Sequence, residues 1–299
     1  MEQSTVFAAI VGEPNVGKST LINQLVGAKI AITANRPQTT RTRILGVITK
    51  GETQYVFTDT PGFHAPKNRL DEHMVKSVRN GYGEVDVILF TVFPKNGLDE
   101  TETALYEEVK ASGIPVILVL NKLDTVSSNI KSQKMIESIC TTKDFDDTIA
   151  VSAATGKNID SLFELLKRYA VEGPHYYDED TLTDVPEKVI CAEIIREKLL
   201  TELRDELPHG CAVSIEAFRE DESGDRVDID AVIMCEKKSH TGLIIGKGGS
   251  MLKKITALAR KDIEEFLGCR AGLKCWVKVR EGWRNNENYI LDFGYGADS

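Results

Sequence analysis

One short glycine-rich segment near the N-terminus constrains the fold of this chain more than any other feature. Residues 6–11 are all apolar, and residues 12–19 (GEPNVGKS) follow directly and fit the pattern G-x-x-x-x-G-K-S/T. Glycines let the backbone curl so that successive N–H groups face phosphate oxygens, and a helix that begins near Lys18 adds its positive end. The sequence therefore predicts a strand, a phosphate-binding loop and a helix, in that order.

Apolar runs alternate with segments of helical periodicity over the first 170 residues. Short apolar runs lie at residues 54–58, 87–92, 114–120 and 149–151. Helical periodicity covers residues 101–111 and 159–170. Continuous apolar strands that are separated by helices indicate a mostly parallel sheet with both faces covered. We therefore expect an α/β fold, a P-loop domain with a mostly parallel sheet, in which residues 44–49 form an added edge strand.

Several residues at strand ends suit a triphosphate that carries a Mg²⁺ ion. Lys18 can reach the β- and γ-phosphates, and Ser19 offers a hydroxyl to Mg²⁺. Asp59 begins the segment Asp59-Thr60-Pro61-Gly62 after the third predicted strand. Its carboxylate can hold Mg²⁺ through water, and the Gly62 N–H can approach the γ-phosphate closely. A surface turn would explain this tetrapeptide equally well.

The loop of residues 36–42 (RPQTTRT) is a candidate switch. In GTPases a threonine at this place coordinates Mg²⁺ only when the γ-phosphate is present, and loss of that phosphate releases the loop. We favour Thr40 over Thr39 for this role. The alternative is a polar, exposed loop without ligands.

Residues 121–124 (NKLD), after the fifth predicted strand, distinguish guanine from adenine. Guanine offers two neighbouring donors, N1–H and the 2-amino group, which the Asp124 carboxylate can accept, whereas adenine presents no such pair. Asn121 would tie this loop to the phosphate loop, and the stem of Lys122 would lie on the base. The Ala153 N–H would donate to guanine O6. If Asp124 does not contact the base, the alternative is an ATPase.

Four motifs thus occur in the order typical of a GTPase, each at the end of a strand where open α/β sheets bind ligands. The predicted GTP-binding residues are Gly12, Glu13, Pro14, Asn15, Val16, Gly17, Lys18, Ser19, Thr20, Asp59, Thr60, Pro61, Gly62, Phe63, Asn121, Lys122, Asp124, Ser152 and Ala153. The predicted magnesium ligands are Ser19, Thr40 and Asp59, and the residues expected to take part in catalysis are Lys18, Thr40, Asn15 and Gly62.

The residue after the D-x-x-G motif bears on the rate of hydrolysis. Many GTPases place a glutamine there to orient water, but this chain has Phe63. Phenylalanine can neither orient water nor accept a proton, so we expect slow hydrolysis unless other groups help. In related GTPases an asparagine at the position of Asn15 helps to ligate K⁺ beside the phosphates. We therefore expect K⁺ to speed hydrolysis relative to Na⁺.

The C-terminal part of the chain predicts a second, smaller α+β domain. A helix with apolar positions from Ile190 to Leu207 precedes two strands of alternating pattern. Residues 243–252 (LIIGKGGSML) then join two helices, and a final strand at residues 273–280 places Lys274, Trp276, Lys278 and Arg280 on one face. A G-x-x-G loop between the later helices of such an order is typical of a KH domain of type II.

The G-x-x-G loop suits single-stranded RNA. Gly246 and Gly249 let the backbone approach the sugar-phosphate chain, and the adjoining apolar groove can receive about four unstacked bases. Trp283 could stack on a further base. The predicted RNA-binding residues are Ile245, Gly246, Lys247, Gly248, Gly249, Lys253, Lys254, Arg280, Trp283 and Arg284. The alternatives are a purely structural domain, or a signalling switch whose second domain binds protein or membrane.

Charge is distributed unevenly along the chain. The net charge is −9, yet residues 241–284 hold ten basic and four acidic residues, and a phosphate backbone responds to this local charge. The longest apolar run, at residues 114–120, is far shorter than the ~20 residues of a membrane-spanning helix. We therefore expect a cytoplasmic protein. The predicted segments are a GTP-binding domain (1–172), a linker (173–187), a KH-type domain (188–285) and a C-terminal tail (286–299).

The two sets of motifs together resemble one family. GEPNVGKST, PQTTR, DTPG and NKLD are joined to IIGKGG, and this combination is similar to the bacterial Era GTPases over essentially the whole chain. The resemblance implies a role in small ribosomal subunit assembly and a KH domain that binds the 3′ end of the small-subunit ribosomal RNA, with GTP raising RNA affinity. It also implies peripheral association with the inner face of the cell membrane. The expected cofactors are Mg²⁺ and K⁺, and we expect a monomer.

Overall fold

The phosphate loop leaves the central strand of a mostly parallel sheet. The computed structural model describes residues 3–34, 36, 39–59, 61, 68–80, 85–95, 97–126 and 130–295. β1 (Ser4–Val11) pairs in parallel with β3 (Thr53–Asp59) and with β4 (Val87–Val92). The sheet continues through β5 (Val116–Leu120) and β6 (Asp147–Ala150). β2 (Ile44–Lys50) pairs antiparallel with β3 at the other edge, which confirms the predicted edge strand.

Helices cover both faces of this sheet in the described part of the chain. They are α1 (Lys18–Val26), α3 (Glu100–Lys110), α4 (Ile130–Cys140) and α5 (Ile159–Lys167). α2 (Arg69–Asn80) instead packs through Leu70 and Met74 against residues of the second domain and of the C-terminal segment. Alternate residues of β1 point to opposite faces, so Ile10 packs with the α1 and α5 side and Val11 with the α3 and α4 side. Burial of both faces is the reason that these strands are apolar without alternation.

The segment predicted as a linker follows the edge of the first sheet. Directly before this segment, β7 (Val171–Glu172) pairs antiparallel with β1. Further on, the Leu182 carbonyl accepts a hydrogen bond of 2.8 Å from the Val47 N–H of β2, and the Thr183 hydroxyl donates to the Leu45 carbonyl at 2.6 Å. The exact domain boundaries stay predictions, but this segment packs on the first domain.

The second domain has the predicted order of elements. These are α6 (Glu187–Glu202), β8 (Cys211–Glu220), β9 (Arg226–Cys235), α7 (Lys238–Ile245), α8 (Ser250–Leu267) and β10 (Arg270–Val279). β9 is the middle strand, antiparallel to β8 and parallel to β10. Ile194 of α6, Ile229 of β9 and Ile263 of α8 meet in one core. The prediction of a type II KH fold is confirmed.

The residues after β10 are packed between the two domains. α9 (Glu287–Asp292) lies within the segment predicted as a tail. Ile290 and Tyr295 share one buried cluster with Met74 of α2 and Val232 of β9. The tail therefore joins the domains as far as Tyr295. Within the described residues, the structure holds no helix that is both long and apolar enough to cross a membrane.

Candidate functional site

The backbone of the phosphate loop is shaped by close contacts that leave no room for side chains. Gly17 has a φ of 99°, in the left-handed region that disfavours other residues. A Cβ atom there would also collide with the side-chain amide of Asn121. Asn121 is buried, and its Nδ2 donates to the Val16 carbonyl at 3.0 Å. The predicted tie between Asn121 and the phosphate loop is therefore present in the structure.

Lys18 begins α1 and lies inside the curl of the loop. Its Nζ donates to the carbonyl oxygens of Gly12 at 3.0 Å and Glu13 at 2.9 Å. Burial lowers the pKa of Lys18 to about 8, although the carboxylates of Asp59 and Glu13 act in the opposite direction. A phosphate group would supply the anion that this desolvated ammonium lacks.

The three predicted magnesium ligands converge beside Lys18. The Ser19 hydroxyl donates to Asp59 Oδ2 at 2.8 Å and lies 2.7 Å from the Thr40 hydroxyl, which is itself 3.4 Å from Asp59 Oδ2. Thr39 faces its own loop, where its hydroxyl donates to the Arg36 carbonyl at 2.6 Å. Two hydroxyls and a carboxylate form a set of hard oxygen donors that fits Mg²⁺.

The motif for base recognition lies at the far end of the cleft. Ser152 Oγ donates to Asp124 Oδ1 at 2.5 Å, which fixes an exposed carboxylate. Lys122 Nζ reaches back to the Asn15 carbonyl at 2.6 Å, so its stem spans the distance from the base end to the phosphate loop. The Ala153 N–H donates to Asn121 Oδ1 at 3.0 Å. The sequence predicts that this N–H donates a hydrogen bond to guanine O6, but in this structure it donates to the Asn121 side chain.

A cleft of about 280 Å³ lies between the phosphate loop and the candidate switch. Lys18, Ser19, Thr40 and Lys122 line it, as do Pro14, Asn15 and Thr20 from the prediction. Ile32 and Thr33 also line it, and no motif in the sequence distinguished them. Of the remaining predicted residues after β3, Pro61 is buried, whereas Thr60, Gly62 and Phe63 fall outside the described residues.

The G-x-x-G loop forms a tight turn between α7 and α8. Gly246 has a φ of 74°, and a Cβ atom on it would lie 2.7 Å from Met251 Cβ. Lys247 and Gly248 are exposed, and Ile245 is half-buried. The backbone at this turn can therefore be approached from solvent, as the prediction requires.

A groove of about 710 Å³ begins at this loop and runs along β10. The predicted residues Gly249 and Lys253 line it. Sequence reasoning missed most of the others: from α8 come Leu252, Thr256, Ala257 and Arg260, and from the sheet come Arg219, Arg226, Asp228, Asp230, Gly272, Leu273, Lys274 and Cys275. Basic and apolar groups share this groove with two carboxylates, Asp228 and Asp230, that are paired with arginines. The remaining basic groups and the apolar surface suit an unstacked strand of RNA.

Several predicted RNA-binding residues lie away from the groove. Trp283 is wholly buried, and its Nε1 donates to the Gly210 carbonyl at 2.9 Å, so the prediction that it stacks on a base is wrong. Arg284 pairs with Glu236 at 2.6 Å, and Lys254 pairs with Glu202 of α6. Arg280 remains exposed, with its guanidinium 5.8 Å from the ring centre of Tyr289.

The KH domain holds the candidate switch from one side of Thr40. Arg41 is buried, and its guanidinium donates to the carbonyl oxygens of His209 at 2.8 Å and Cys211 at 2.7 Å. The same group lies 5.5 Å from the ring centre of Trp283 and 5.3 Å from that of Tyr295, within the range of a cation–π interaction. Trp283 therefore has a structural role at the domain interface.

Contacts from α6 hold the other side of Thr40. The buried Arg196 donates to the Thr39 carbonyl and pairs with Glu193. Burial alone would lower the pKa of Arg196, but the Glu193 carboxylate raises it above its usual value. Glu197 accepts a hydrogen bond from the Thr33 N–H at 2.8 Å, so the segment of residues 33–41 contacts the second domain at both ends.

Comparisons with known proteins agree with this geometry. A family described as 50S ribosome-binding GTPase matches residues 7–122, and the KH domain family matches residues 206–284. GTPase Era of Caldanaerobacter subterraneus subsp. tengcongensis is 46% identical over 292 residues, 98% of either chain. GTPase Era of Clostridioides difficile is 46% identical over 289 residues, 97% of either chain.

Two solved structures resemble the whole chain. An Aquifex aeolicus Era variant bound to GDP·AlF4⁻ has a TM-score of 0.94 at 35% identity, and covers 98% of this chain and 100% of its own. Era in complex with MgGDPNP and nucleotides 1506–1542 of 16S ribosomal RNA has a TM-score of 0.93 at 35% identity, and covers 98% and 99%. Sequence identity and shared structure over nearly the full length lead to one conclusion: the chain belongs to the GTPase Era family.

Proposed function

We propose that this protein binds GTP with Mg²⁺, hydrolyses it to GDP and phosphate, and lets the bound nucleotide control binding of the 3′ end of small-subunit ribosomal RNA. The observation that carries the proposal is the meeting of Ser19, Thr40 and Asp59 beside Lys18. A relative in complex with MgGDPNP and a 16S RNA fragment supports both ligands. Such a protein would act in assembly of the small subunit, in the cytoplasm.

The nucleotide would lie along the cleft with its phosphates in the N-terminal loop. Lys18 neutralises the β- and γ-phosphates, and the loop N–H groups with the start of α1 bind their oxygens. Ser19 and Thr40 would ligate Mg²⁺ directly, and Asp59 would hold it through water. When bound, Mg²⁺ neutralises charge that develops between the β- and γ-phosphates.

Guanine would be read at the other end by Asp124. The Ser152 hydroxyl holds this carboxylate in place, which leaves acceptor positions for N1–H and the 2-amino group. Asn121 bonds both the phosphate loop and the backbone at Ala153, so the residues that would bind the base and those that would bind the phosphates are directly connected.

Hydrolysis would be slow without help. Asn15 lies at the mouth of the cleft with a φ of 66°, and we propose that its side chain helps to ligate K⁺ beside the phosphates. Faster hydrolysis in K⁺ than in Na⁺ at matched ionic strength would support this. A monomeric state and peripheral membrane association stay predictions.

RNA would bind in the groove that follows the G-x-x-G loop. The Lys247 side chain is exposed at the turn, and Lys253, Arg260 and Lys274 add positive charge along the groove. Leu252 and Ala257 supply apolar surface for unstacked bases. This groove, and not the surface near Trp283, is the RNA site that we propose.

The segment of residues 33–41 would couple the nucleotide site to the RNA site. It holds Thr40 at the metal site, and Arg41 and the Thr39 carbonyl are bound by the KH domain. Thr40, when held by Mg²⁺ in the GTP-bound state, would keep the backbone conformation that the KH domain also holds. The coupling is then reciprocal, because each ligand stabilises the conformation that the other needs.

The experiment that tests the nucleotide site compares Thr40→Ala with Thr39→Ala. Thr40→Ala should weaken Mg²⁺-dependent binding of a non-hydrolysable GTP analogue at least about tenfold, or ~1.4 kcal/mol, and change GDP affinity little. Thr39→Ala should leave both affinities nearly unchanged, since its hydroxyl bonds within its own loop. Equal losses in the two variants, or no binding of either guanine nucleotide by the parent protein, would contradict the proposal.

A further inference from the structure

An exposed tryptophan lies next to the proposed RNA groove, on the face of the KH sheet that is turned away from the domain core. We call this the outer face of the sheet. Trp276 of β10 is 46% exposed, which is unusual for a large aromatic side chain. Its strand neighbours Cys275 and Val277 face the opposite way and pack against the domain core. The proposed function does not use this side chain.

The exposed side chains of β10 on either side of Trp276 are basic. Lys274 and Lys278 are exposed on the same face of β10 as Trp276, because alternate residues of a strand point to the same side. Arg280, also exposed, follows the last residue of β10, and its N–H donates to the Cys235 carbonyl of β9 at 2.8 Å. Lys278 pairs with Glu216 at 3.0 Å. Within the described residues, the structure records no ion pair for Lys274 or Arg280. These two cations can therefore interact with an added anion without first losing a carboxylate.

The groove and this face are continuous. Lys274 lines the groove, and its side chain points to the same face as that of Trp276. Asp228 and Asp230 of β9, which also line the groove, belong to the same outer face and are paired with Arg226 and Arg219. Trp276 lies two residues beyond Lys274, or about 6.7 Å along the strand.

We propose that Trp276 is a stacking platform for a base of the same single-stranded RNA, beyond the segment that the G-x-x-G groove holds. The inference rests on the proposed RNA-binding function and extends its site. A groove of this type holds about four nucleotides, so a longer strand must leave it. An indole with lysines on either side offers a base a π-face and offers the backbone positive charge, the combination that binds single strands without reading their sequence.

The chain itself provides a direct optical test. It has two tryptophans, and since Trp283 is wholly buried, quenching of fluorescence by acrylamide reports mainly on Trp276. An RNA of about twelve nucleotides from the 3′ end of small-subunit ribosomal RNA should protect the indole from acrylamide. A tetranucleotide from the same sequence, bound to saturation, should leave it accessible. An indole that stays equally accessible with the longer RNA would overturn the proposal.

Affinity measurements with two variants separate stacking from other effects. Trp276→Ala should weaken binding of the longer RNA about 5- to 100-fold and leave tetranucleotide binding unchanged, whereas Trp276→Phe should keep most of the affinity. Equal affinity of the parent protein and Trp276→Ala for the longer RNA would contradict the inference while leaving the groove intact. Failure of the parent protein to bind either RNA would instead refute the proposed RNA-binding function, and the inference with it.

Discussion

Three oxygen atoms from distant parts of the chain meet at the phosphate loop. Ser19 comes from the start of α1, Asp59 from the end of β3, and Thr40 from the segment between α1 and β2. The first two are placed by regular elements. The third depends on contacts from the KH domain to its two neighbours, Thr39 and Arg41. At the scale of single residues, the proposed metal site takes its three oxygen donors from the first domain, and the KH domain contributes by holding the neighbours of Thr40.

The role of Asp124 in base selection can be tested by one isosteric change. Asp124→Asn replaces one of the two acceptor oxygens with an NH₂ donor, so it should lower GTP affinity at least about tenfold and favour xanthine nucleotides, whose 2-position is a carbonyl. Ser152→Ala is the control, since it removes the hydrogen bond to Asp124 but keeps the carboxylate. Competition binding measures both preferences. Retained preference for GTP in Asp124→Asn would count against the assignment.

The pKa of Lys18 predicts how nucleotide affinity depends on pH. The pKa of about 8 in the free protein means that the ammonium is charged below pH 8 and loses its proton above it. Phosphate binding favours the charged form, so above pH 8 binding must take up a proton, and GDP affinity should fall by up to about tenfold per pH unit.

Calorimetry between pH 7 and pH 9, in buffers that differ in ionisation enthalpy, measures both the affinity and the proton uptake. We expect little uptake at pH 7 and uptake that approaches one proton at pH 9. An affinity that is constant over this range, with no proton uptake, would show that Lys18 does not titrate as described.

Residues in short contiguous motifs could be predicted from the sequence, whereas residues defined by long-range packing could not. Lys18, Asn121 and Asp124 lie in segments whose spacing alone indicates their chemistry. Arg196 is a single arginine without a motif, and the PQTTR motif that contains Arg41 gives no sign of a contact with the second domain. Both side chains are buried at a contact between the domains, and their importance comes from that burial. The error at Trp283 has the same origin, because its neighbouring charges suggested a surface that Tyr295 and Gly210 in fact cover.

At the scale of elements, the turn between α7 and α8 lies at one end of the proposed RNA groove, and α8, which follows the turn, lines that groove. Gly246 begins the turn with a positive φ of 74°, and α8 starts at Ser250. Backbone N–H groups at this end of α8 can face a phosphate, and the first turns of the helix supply Leu252 and Lys253 to the groove.

A substitution in this turn should disable RNA binding without affecting the nucleotide. Gly246→Asp adds a side chain that meets Met251 and a negative charge that repels phosphate, so RNA affinity should fall at least about tenfold. The matched control is Gly224→Asp in the β8–β9 turn, where φ is also 74° and an added Cβ meets no described atom within 4 Å. Filter binding measures RNA affinity, and the GTPase rate without RNA serves as a folding control. Equal RNA affinity of the two variants would show that the RNA does not bind in this groove.

The order of elements was predictable, but the place of the last one was not. Alternating apolar patterns predicted β8 and β9, and continuous apolar runs predicted the parallel strands of the first sheet. α9 has only six residues and a mixed composition, and its stability comes from Trp283, Tyr295 and residues of both domains. Periodicity cannot identify so short a helix, since isolated helices of this length are not stable in water.

In the whole molecule, two ligand sites share one connecting segment. From the segment of residues 33–41, the cleft lining includes Thr33, Ala34, Arg36, Thr39 and Thr40. The KH domain binds this segment through contacts of Arg41, Arg196 and Glu197. The Arg41 guanidinium bonds two carbonyl groups and lies against two aromatic rings of the C-terminal segment. A conformational change at Thr40 must therefore either move this segment with the KH domain or break these contacts.

A conservative substitution at Arg41 should weaken this coupling and leave each site intact. Lysine keeps the charge but cannot bond both the His209 and Cys211 carbonyls in the same way. Arg41→Lys should retain GDP affinity and RNA affinity in the GDP state, while the gain in RNA affinity with a GTP analogue falls by about fivefold or more. Arg43→Lys, the same change at an exposed position two residues away, should behave like the parent protein. An unchanged gain in Arg41→Lys would show that coupling follows another route.

The most direct test of the account is the affinity of the protein for RNA from the 3′ end of small-subunit ribosomal RNA, measured with GDP and with a non-hydrolysable GTP analogue in the presence of Mg²⁺. We predict binding that is about 5- to 150-fold tighter with the analogue, the range typical of coupling between two sites. Equal RNA affinity in the two nucleotide states would contradict the claim that the nucleotide controls the KH domain.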